Sequence, residues 1–169
     1  MTAAFDPYRA LEALNRHRVR FIVVGALAAV LQGYPLPTQD LDVTPARERE
    51  NLERLAAALL ELGARLRVPH GEGVPFPIDA SVLETATAWT LETDAGPLDL
   101  VFLPAGTNGY DDLRVDAAER TLRELPLVLA SVRDVIRMKE AAGREKDLMA
   151  LPALRRTLEV IRRREQEGR

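Results

Sequence analysis

The stretch FIVVGALAAVLQGYPLPTQDLDV, residues 21–43, decides how this 169-residue chain is organised. The segment VRFIVV, which ends at residue 24, is rich in β-branched and aromatic residues and predicts a buried strand that Gly25 ends. A short apolar helix follows and stops at Gly33, because the two prolines of YPLPT cannot continue it. The closing DLDV alternates polar and apolar residues, which predicts a strand with Asp40 and Asp42 on one face.

A third carboxylate lies in another apolar strand. Residues 88–93 and 97–103 predict a β-hairpin, and Asp99 is the polar residue of its second arm. An ionised carboxylate among apolar neighbours is costly unless a cation or hydrogen-bond donors compensate it. Three carboxylates that converge from adjacent strands would suit Mg²⁺, which prefers oxygen ligands and keeps positions for water and phosphates. The alternative is that the aspartates lie on a solvated strand face and bind nothing.

Gly25 lies between a strand and the N-terminus of a helix. At such a turn the free backbone N–H groups and the helix dipole favour an anion such as a triphosphate. A tight turn without a ligand would explain the same glycine. Taken together with the aspartates, the turn predicts a site for a metal-bound nucleotide.

The composition argues against several other functions. The chain has 23 Lys and Arg against 26 Asp and Glu, a net charge of -3, so any contact with a nucleic acid has to be local. It has no cysteine, which excludes disulfides, thiolate metal sites and a cysteine nucleophile. Two histidines, His17 and His70, argue against a histidine-built zinc site and against a metal-dependent phosphodiesterase. A metal would therefore have oxygen ligands.

The N-terminal segment lacks a basic stretch followed by a long apolar one. The sequence also has no run of about 18 apolar residues that could span a bilayer. We therefore expect a cytoplasmic protein that makes no contact with a membrane.

Helical and strand patterns alternate along the rest of the chain. Asp6 and Pro7 predict the start of a first helix, and Thr44 and Pro45 predict the start of a longer one that ends near Leu62. ARLRV predicts a third strand, and two weaker strand patterns cover residues 118–123 and 126–130.

From Ser131 the pattern is helical nearly to the end, with interruptions near Gly143 and Pro152. The length fits a single hydrophobic core. We expect one α+β domain, with an α/β core over residues 1–130 and a C-terminal helical region over residues 131–169 that packs on it.

Two motifs resemble those of the polymerase-β-like nucleotidyltransferase superfamily, in which a G-[GS] turn opens a helix and a D-x-D strand follows. The segments GYPLPTQDLD, residues 33–42, and KEAAGREKD, residues 139–147, are most similar to small bacterial members of the AbiEii type. Those proteins often carry G-Y-x-R-x-T-x-D-[IL]-D and K-x-A-A-x-R-x-K-D, and many are toxins of toxin–antitoxin pairs. The resemblance covers residues 21–147 and implies a mixed central sheet flanked by helices, with a helical C-terminal region.

The resemblance implies a role for each matching residue. Asp40, Asp42 and Asp99 would hold Mg²⁺, and Asp99 would be the candidate base for the acceptor hydroxyl. Gly25 and Ala26 would cradle the phosphates of the nucleotide.

Five further residues are implied to assist nucleotide binding. Thr38 would steady the loop before the aspartates or touch the nucleotide, although a simple turn hydroxyl fits equally well. Lys139, Arg144 and Lys146 would neutralise phosphate charge, and Asp147 would orient one of these cations. A salt-bridged helix face is the alternative.

Three positions depart from the pattern. Ala26 stands where glycine or serine is usual, Gln32 where histidine is frequent and Leu36 where arginine is common. The loss of an arginine removes a cation from the substrate side. The departures favour a second interpretation, a catalytically degenerate module that binds a nucleotide or a partner protein.

The first interpretation is a Mg²⁺-dependent nucleotidyltransferase that moves NMP from an NTP to an acceptor. The acceptor would be a tRNA 3′ end, a protein side chain or a small molecule, and an antitoxin would be a partner. If it is tRNA, the arginines of RRTLEVIRRREQEGR are natural phosphate contacts. Otherwise this segment is a solvated helix.

Overall fold

The computed structural model describes residues 3–169; Met1 and Thr2, with which the predicted core region begins, lie outside the described part. The described part contains seven strands: β1 (Phe21–Val24), β2 (Leu41–Pro45), β3 (Arg65–Leu66), β4 (Ala88–Thr93), β5 (Gly96–Val101), β6 (Ala118–Leu122) and β7 (Leu125–Leu129). The helices in the same range are α1 (Pro7–Arg16), α2 (Gly25–Val30), α3 (Arg49–Glu61), α4 (Ala80–Leu83), α5 (Tyr110–Val115), α6 (Val132–Ala142) and α7 (Glu145–Glu167).

The strands form one mixed sheet in the order β3-β4-β5-β2-β1-β7-β6. β2 runs parallel to β5, and β1 runs parallel to β7, while the other neighbours are antiparallel. All four residues of β1 are buried, as the continuous apolar run predicted. The α+β class with a mixed central sheet is confirmed.

The registers of β2 with its two neighbours, β1 and β5, place the predicted site residues close together. Asp42 on β2 lies opposite Asp99 on the parallel strand β5, and opposite Val24 on the antiparallel strand β1. Because β1 ends at Val24, the turn into α2 lies beside Asp42. The order of the strands therefore brings three distant parts of the sequence to the same edge of the sheet.

The two C-terminal helices pack on the same hydrophobic core as the sheet. α6 contributes apolar side chains such as Val135 and Ile136, and α7 contributes Leu151 and Leu154. Gly143 separates the two helices in a left-handed conformation, with φ of 64°. Within residues 3–169 no helix combines the length and apolarity that crossing a bilayer requires.

The structure corrects two helix boundaries. Thr44 and Pro45 do not start α3 but remain in β2, where they pair with β1; tertiary pairing overrides the local helix-start signal. Pro152 does not interrupt α7. It lies on the exposed face, where water can hydrogen-bond to the carbonyl that its missing N–H leaves free.

Candidate active site

Three carboxylates converge at the edge formed by β2 and β5. Asp42 and Asp99 are register partners on parallel strands, and Asp40 lies two residues before Asp42. One oxygen from each carboxylate can be chosen so that all lie within 4.8 Å of one another. We call Asp40, Asp42 and Asp99 the aspartate cluster. Its all-oxygen donor set fits a hard divalent cation such as Mg²⁺.

The turn at Gly25 is built around Asp42. Gly25 has φ of +67°, and a Cβ atom placed there would lie 2.3 Å from Oδ2 of Asp42. Only glycine fits, because any side chain would both strain the backbone and displace the carboxylate. Gly25 therefore brings its main chain directly against Asp42 of the aspartate cluster.

Burial and mutual repulsion make the aspartate cluster costly in the absence of a cation. Burial raises the pKa of Asp42 to about 7, with help from the negative charges of Asp40 and Asp99 and against the positive charge of Lys139. Burial also raises the pKa of Asp99, while Arg67 opposes the shift. A bound divalent cation would supply the charge that these carboxylates need.

The aspartate cluster lines a cavity of about 470 Å³ that also has positively charged walls. Lys139 near the end of α6, and Arg144 and Lys146 at the start of α7, line it too. Gly25 and Ala26 complete the lining next to the carboxylates. The cavity thus combines acidic groups that suit a cation with basic groups that suit phosphate oxygens.

Asp147 holds two of these cations in place. Its side chain is 0% exposed and accepts hydrogen bonds from Lys139 Nζ at 3.0 Å and from Arg144 Nε at 2.7 Å. Burial alone would raise the pKa of Asp147, but the hydrogen bonds from Arg144 and Lys139 outweigh it and lower the pKa. This is the contact that the role predicted for Asp147 requires.

Thr38 contacts the aspartate cluster from outside the cavity. Its hydroxyl donates to Oδ1 of Asp40 at 3.1 Å. Thr38 does not line the cavity, as far as residues 3–169 define it. Of its two predicted roles, the geometry favours steadying the loop.

The departures from the motif have different surroundings. Gln32 donates to the carbonyl oxygens of Ala28 and Ala130, both at 2.8 Å, and so pins the end of α2 to the end of β7. Leu36 is 52% exposed in the loop before β2. Gln32 therefore makes a structural contact, whereas nothing in the structure explains the leucine at position 36.

Arg67 is a residue of the site that the sequence analysis missed. Its Nη2 donates to Oδ1 of Asp99 at 2.5 Å. In the sequence, Arg65 and Arg67 are alternate polar residues of the short segment ARLRV, and no local feature distinguishes them. Only the pairing of distant strands brings one of them to Asp99.

No protein-family model matches the sequence, and no curated protein matches it. Solved structures do match. The lincosamide antibiotic adenylyltransferase LnuA, bound to lincomycin, has a TM-score of 0.59 at 12% identity over 90% of this chain and 98% of that chain. The antibiotic-resistance factor ANT(2'')-Ia has a TM-score of 0.55 at 16% identity over 96% of this chain and 90% of that chain.

ANT(2'')-Ia in complex with adenylyl-2''-tobramycin gives the same picture, with a TM-score of 0.55 at 17% identity over 96% of this chain and 95% of that chain. The chain has a nucleotidyltransferase fold. The fold implied by the two sequence motifs is thereby confirmed. At these identities the likeness concerns the fold, and the narrower AbiEii type stays a prediction.

Proposed function

We propose that this chain is a Mg²⁺-dependent nucleotidyltransferase that transfers NMP from an NTP to an acceptor hydroxyl and releases pyrophosphate. One observation carries the proposal: the aspartate cluster lies in the same cavity as Lys139 and Arg144, on the fold of known adenylyltransferases. Acidic and basic groups in one cavity are what a metal-bound triphosphate needs.

The aspartate cluster would hold Mg²⁺, which when bound supplies Lewis-acid stabilisation of charge on the phosphoryl oxygens. The chain's own residues do the rest. Lys139 and Arg144 bind phosphate oxygens and neutralise the charge that develops on the leaving pyrophosphate. Asp99 accepts the proton of the acceptor hydroxyl. The oxygen of this hydroxyl forms a bond to the α-phosphorus of the NTP while the bond between the α-phosphorus and pyrophosphate breaks.

The acceptor that we propose is an RNA end, such as the 3′ end of a tRNA. Two adjoining cavities of about 330 and 240 Å³ lie along α7 and share Gln32 and Ile161. Two acidic residues, Asp116 and Glu165, line them together with a larger number of arginines. We call them the arginine groove, because five arginines line them: Arg120, Arg133, Arg156, Arg162 and Arg164. Guanidinium groups are well suited to phosphates, and their attraction to a nucleic acid would be local and salt-sensitive.

Within residues 3–169, no carboxylate oxygen lies within 4.0 Å of the side-chain nitrogens of these five arginines. Gln32 of the arginine groove lies two residues past the end of α2, and Gly25 at the start of α2 lines the cavity of the aspartate cluster; the six residues of this helix rise about 9 Å. A strand bound in the arginine groove could therefore reach the aspartate cluster. The matching adenylyltransferases are described with antibiotics, so this acceptor distinguishes our proposal from theirs.

A toxin role with an antitoxin partner is a further part of the proposal. It rests on the AbiEii-type sequence resemblance alone. Expression of the wild-type chain should slow growth, and expression of Asp42→Ala should not. Equal growth with both chains would count against the toxin role and leave the proposed enzymatic activity to its own test.

The activity is tested by incubating the purified protein with Mg²⁺, labelled NTPs and total cell RNA. Label should enter RNA with the wild type, and Asp42→Ala should reduce the rate at least about 100-fold, the order of loss when one electrostatic contact to a transition state is removed. Asp111→Ala is the matched control, since Asp111 is exposed on α5. Nucleotide binding without any labelled acceptor would instead favour the nucleotide-binding module that Ala26 and Leu36 suggest.

A further inference from the structure

Arg67 reaches the aspartate cluster from the far side of β4. Its backbone N–H donates to the carbonyl oxygen of Thr90, and its Nε and Nη2 donate to the carbonyl oxygen of Leu91 at 3.3 and 2.9 Å. The same Nη2 donates to Oδ1 of Asp99 at 2.5 Å. The guanidinium is therefore anchored on the main chain of β4 while it binds a side chain of β5.

The register of the sheet explains why this contact is specific. Thr90 on β4 is the partner of Asp99 on β5, so Arg67 lies beside the strand position that carries the third carboxylate. Arg67 itself is not part of the cavity lining, within residues 3–169, whereas Lys139 and Arg144 are. The hydrogen bond to Asp99 is therefore the contact through which Arg67 can position a group of the cation site.

We propose that Arg67 is a positioning residue that fixes one oxygen of Asp99 and so orients this carboxylate toward Asp40 and Asp42. The proposal rests on the proposed function, because it assigns a role within the same cation site. Residues that hydrogen-bond to a metal ligand orient it, and their loss typically weakens metal affinity by about 10- to 100-fold.

The sign of the effect separates positioning from simple electrostatics. Arg67 carries a positive charge close to a cation site, so charge alone would make its removal tighten cation binding. Orientation of Asp99 predicts the opposite, because a carboxylate that is free to rotate loses its place in the cluster. A measurement of cation affinity therefore decides between the two.

The experiment measures Mn²⁺ binding by the loss of the free-ion EPR signal, without nucleotide and without turnover. Arg67→Ala should weaken Mn²⁺ binding about 10-fold. Arg67→Lys should weaken it less but measurably, because an ammonium cannot present a planar fork to both Leu91 and Asp99. Arg65→Ala is the matched control: Arg65 is exposed on β3, two residues before Arg67, and its loss should leave the affinity unchanged.

A double-mutant cycle tests the path through Asp99. In the Asp99→Ala background, Arg67→Ala should cause no further loss of Mn²⁺ affinity. The proposal is overturned if either Arg67 variant binds Mn²⁺ as tightly as the wild type or tighter, or if Arg67→Ala causes the same loss without Asp99. Should Arg67→Ala fail to fold, Arg67→Lys carries the same comparison.

The two proposals fail in different ways. A wild-type protein that binds no Mn²⁺ would overturn the proposed function and this role together. A wild-type protein that binds Mn²⁺ through Asp40 and Asp42, with an affinity indifferent to Arg67, would overturn the positioning role alone.

Discussion

At the scale of single residues, the contact between Gly25 and Asp42 joins the nucleotide turn to the cation site. The backbone of Gly25 lies so close to the carboxylate of Asp42 that a side chain at position 25 would clash with it. The alternation of DLDV was enough to predict that Asp40 and Asp42 share a face, and the polar residue in PLDLVFL was enough to predict Asp99. Arg67 could not be predicted, because its role depends on a strand neighbour that no local pattern specifies.

Gly25→Ala should abolish cation binding as well as lower stability. Alanine at φ of +67° strains the backbone by about 1–2 kcal/mol, and its Cβ would lie 2.3 Å from Oδ2 of Asp42. Gly33→Ala is the matched control: φ is +109°, but no heavy atom lies within 4 Å of the added Cβ. Thermal unfolding should register both changes, whereas Mn²⁺ titration should register only the first. Normal Mn²⁺ binding by Gly25→Ala would contradict the geometry of the turn.

The raised pKa of Asp42 predicts that this residue destabilises the protein when no cation is bound. The folded state has a pKa of about 7 against an ordinary 3.8, so it binds the proton more tightly than the unfolded chain. Stability in EDTA should therefore fall as the pH rises from about 4 to about 7, and the destabilisation should be complete above that range.

Asp42→Asn removes this charge without changing the shape of the side chain. At pH 8 in EDTA the variant should unfold at a temperature about 2–4 °C higher than the wild type, for each ~1 kcal/mol of relieved destabilisation. Added Mg²⁺ should raise the Tm of the wild type and not that of Asp42→Asn. Asp111→Asn, on the exposed face of α5, is the control. A variant that is less stable than the wild type in EDTA at pH 8 would refute the prediction.

At the scale of elements, local signals and long-range pairing contribute differently. The hairpin of β4 and β5 was predictable because its turn, Asp94 to Gly96, is a local feature. The placement of β2 beside β5 was not predictable from local sequence, because parallel neighbours are not joined by a short turn that a local motif could indicate. The predicted start of α3 was wrong because of another long-range contact: Thr44 and Pro45 carry a helix-start pattern, but antiparallel pairing with β1 keeps them in β2.

The junction of α6 and α7 predicts a role for Asp147 in nucleotide affinity. Asp147→Asn should weaken the hydrogen bonds to Lys139 and Arg144, lower stability by about 1–3 kcal/mol and raise the KM for the NTP. Glu145→Gln is the control, because Glu145 is exposed in the same first turn of α7. Steady-state kinetics and thermal unfolding measure the two effects. An unchanged KM in a folded Asp147→Asn protein would contradict the role of Asp147 in nucleotide affinity.

At the scale of the whole molecule, a net charge of -3 conceals opposite local charges. The aspartate cluster lies in one cavity and the arginine groove runs along α7. Composition correctly limited a nucleic-acid contact to a local surface, but it could not place that surface, because arginines from β6, α6 and α7 meet only in the folded chain. The two separated motifs were sufficient for the fold, since their order along the chain is that of the strands and helices around the site.

The arginine groove predicts salt-dependent RNA binding that is independent of catalysis. In EDTA, the triple variant Arg156→Ala, Arg162→Ala and Arg164→Ala should bind a fluorescent RNA oligonucleotide more weakly. Its slope of log affinity against log salt should also be smaller, by about 1 for each RNA phosphate that the variant no longer neutralises. Fluorescence anisotropy measures both quantities.

Arg155→Ala is the matched control, since Arg155 forms an ion pair with Glu140 at 2.8 Å. Asp42→Asn should bind RNA as the wild type does, because the aspartate cluster is not part of the arginine groove. Equal losses in Arg155→Ala and in the triple variant would contradict a specific role of the groove. Competition by an acidic peptide but not by RNA would point to a protein partner instead.

The proposed function requires that Asp40, Asp42 and Asp99 together hold one divalent cation beside a nucleotide. The most direct test is an anomalous-difference map from crystals soaked with Mn²⁺ and an NTP. We expect a Mn²⁺ peak within coordination distance of one oxygen from each of the three carboxylates, with the triphosphate near Lys139 and Arg144. A bound nucleotide with no ion among the three carboxylates would contradict it.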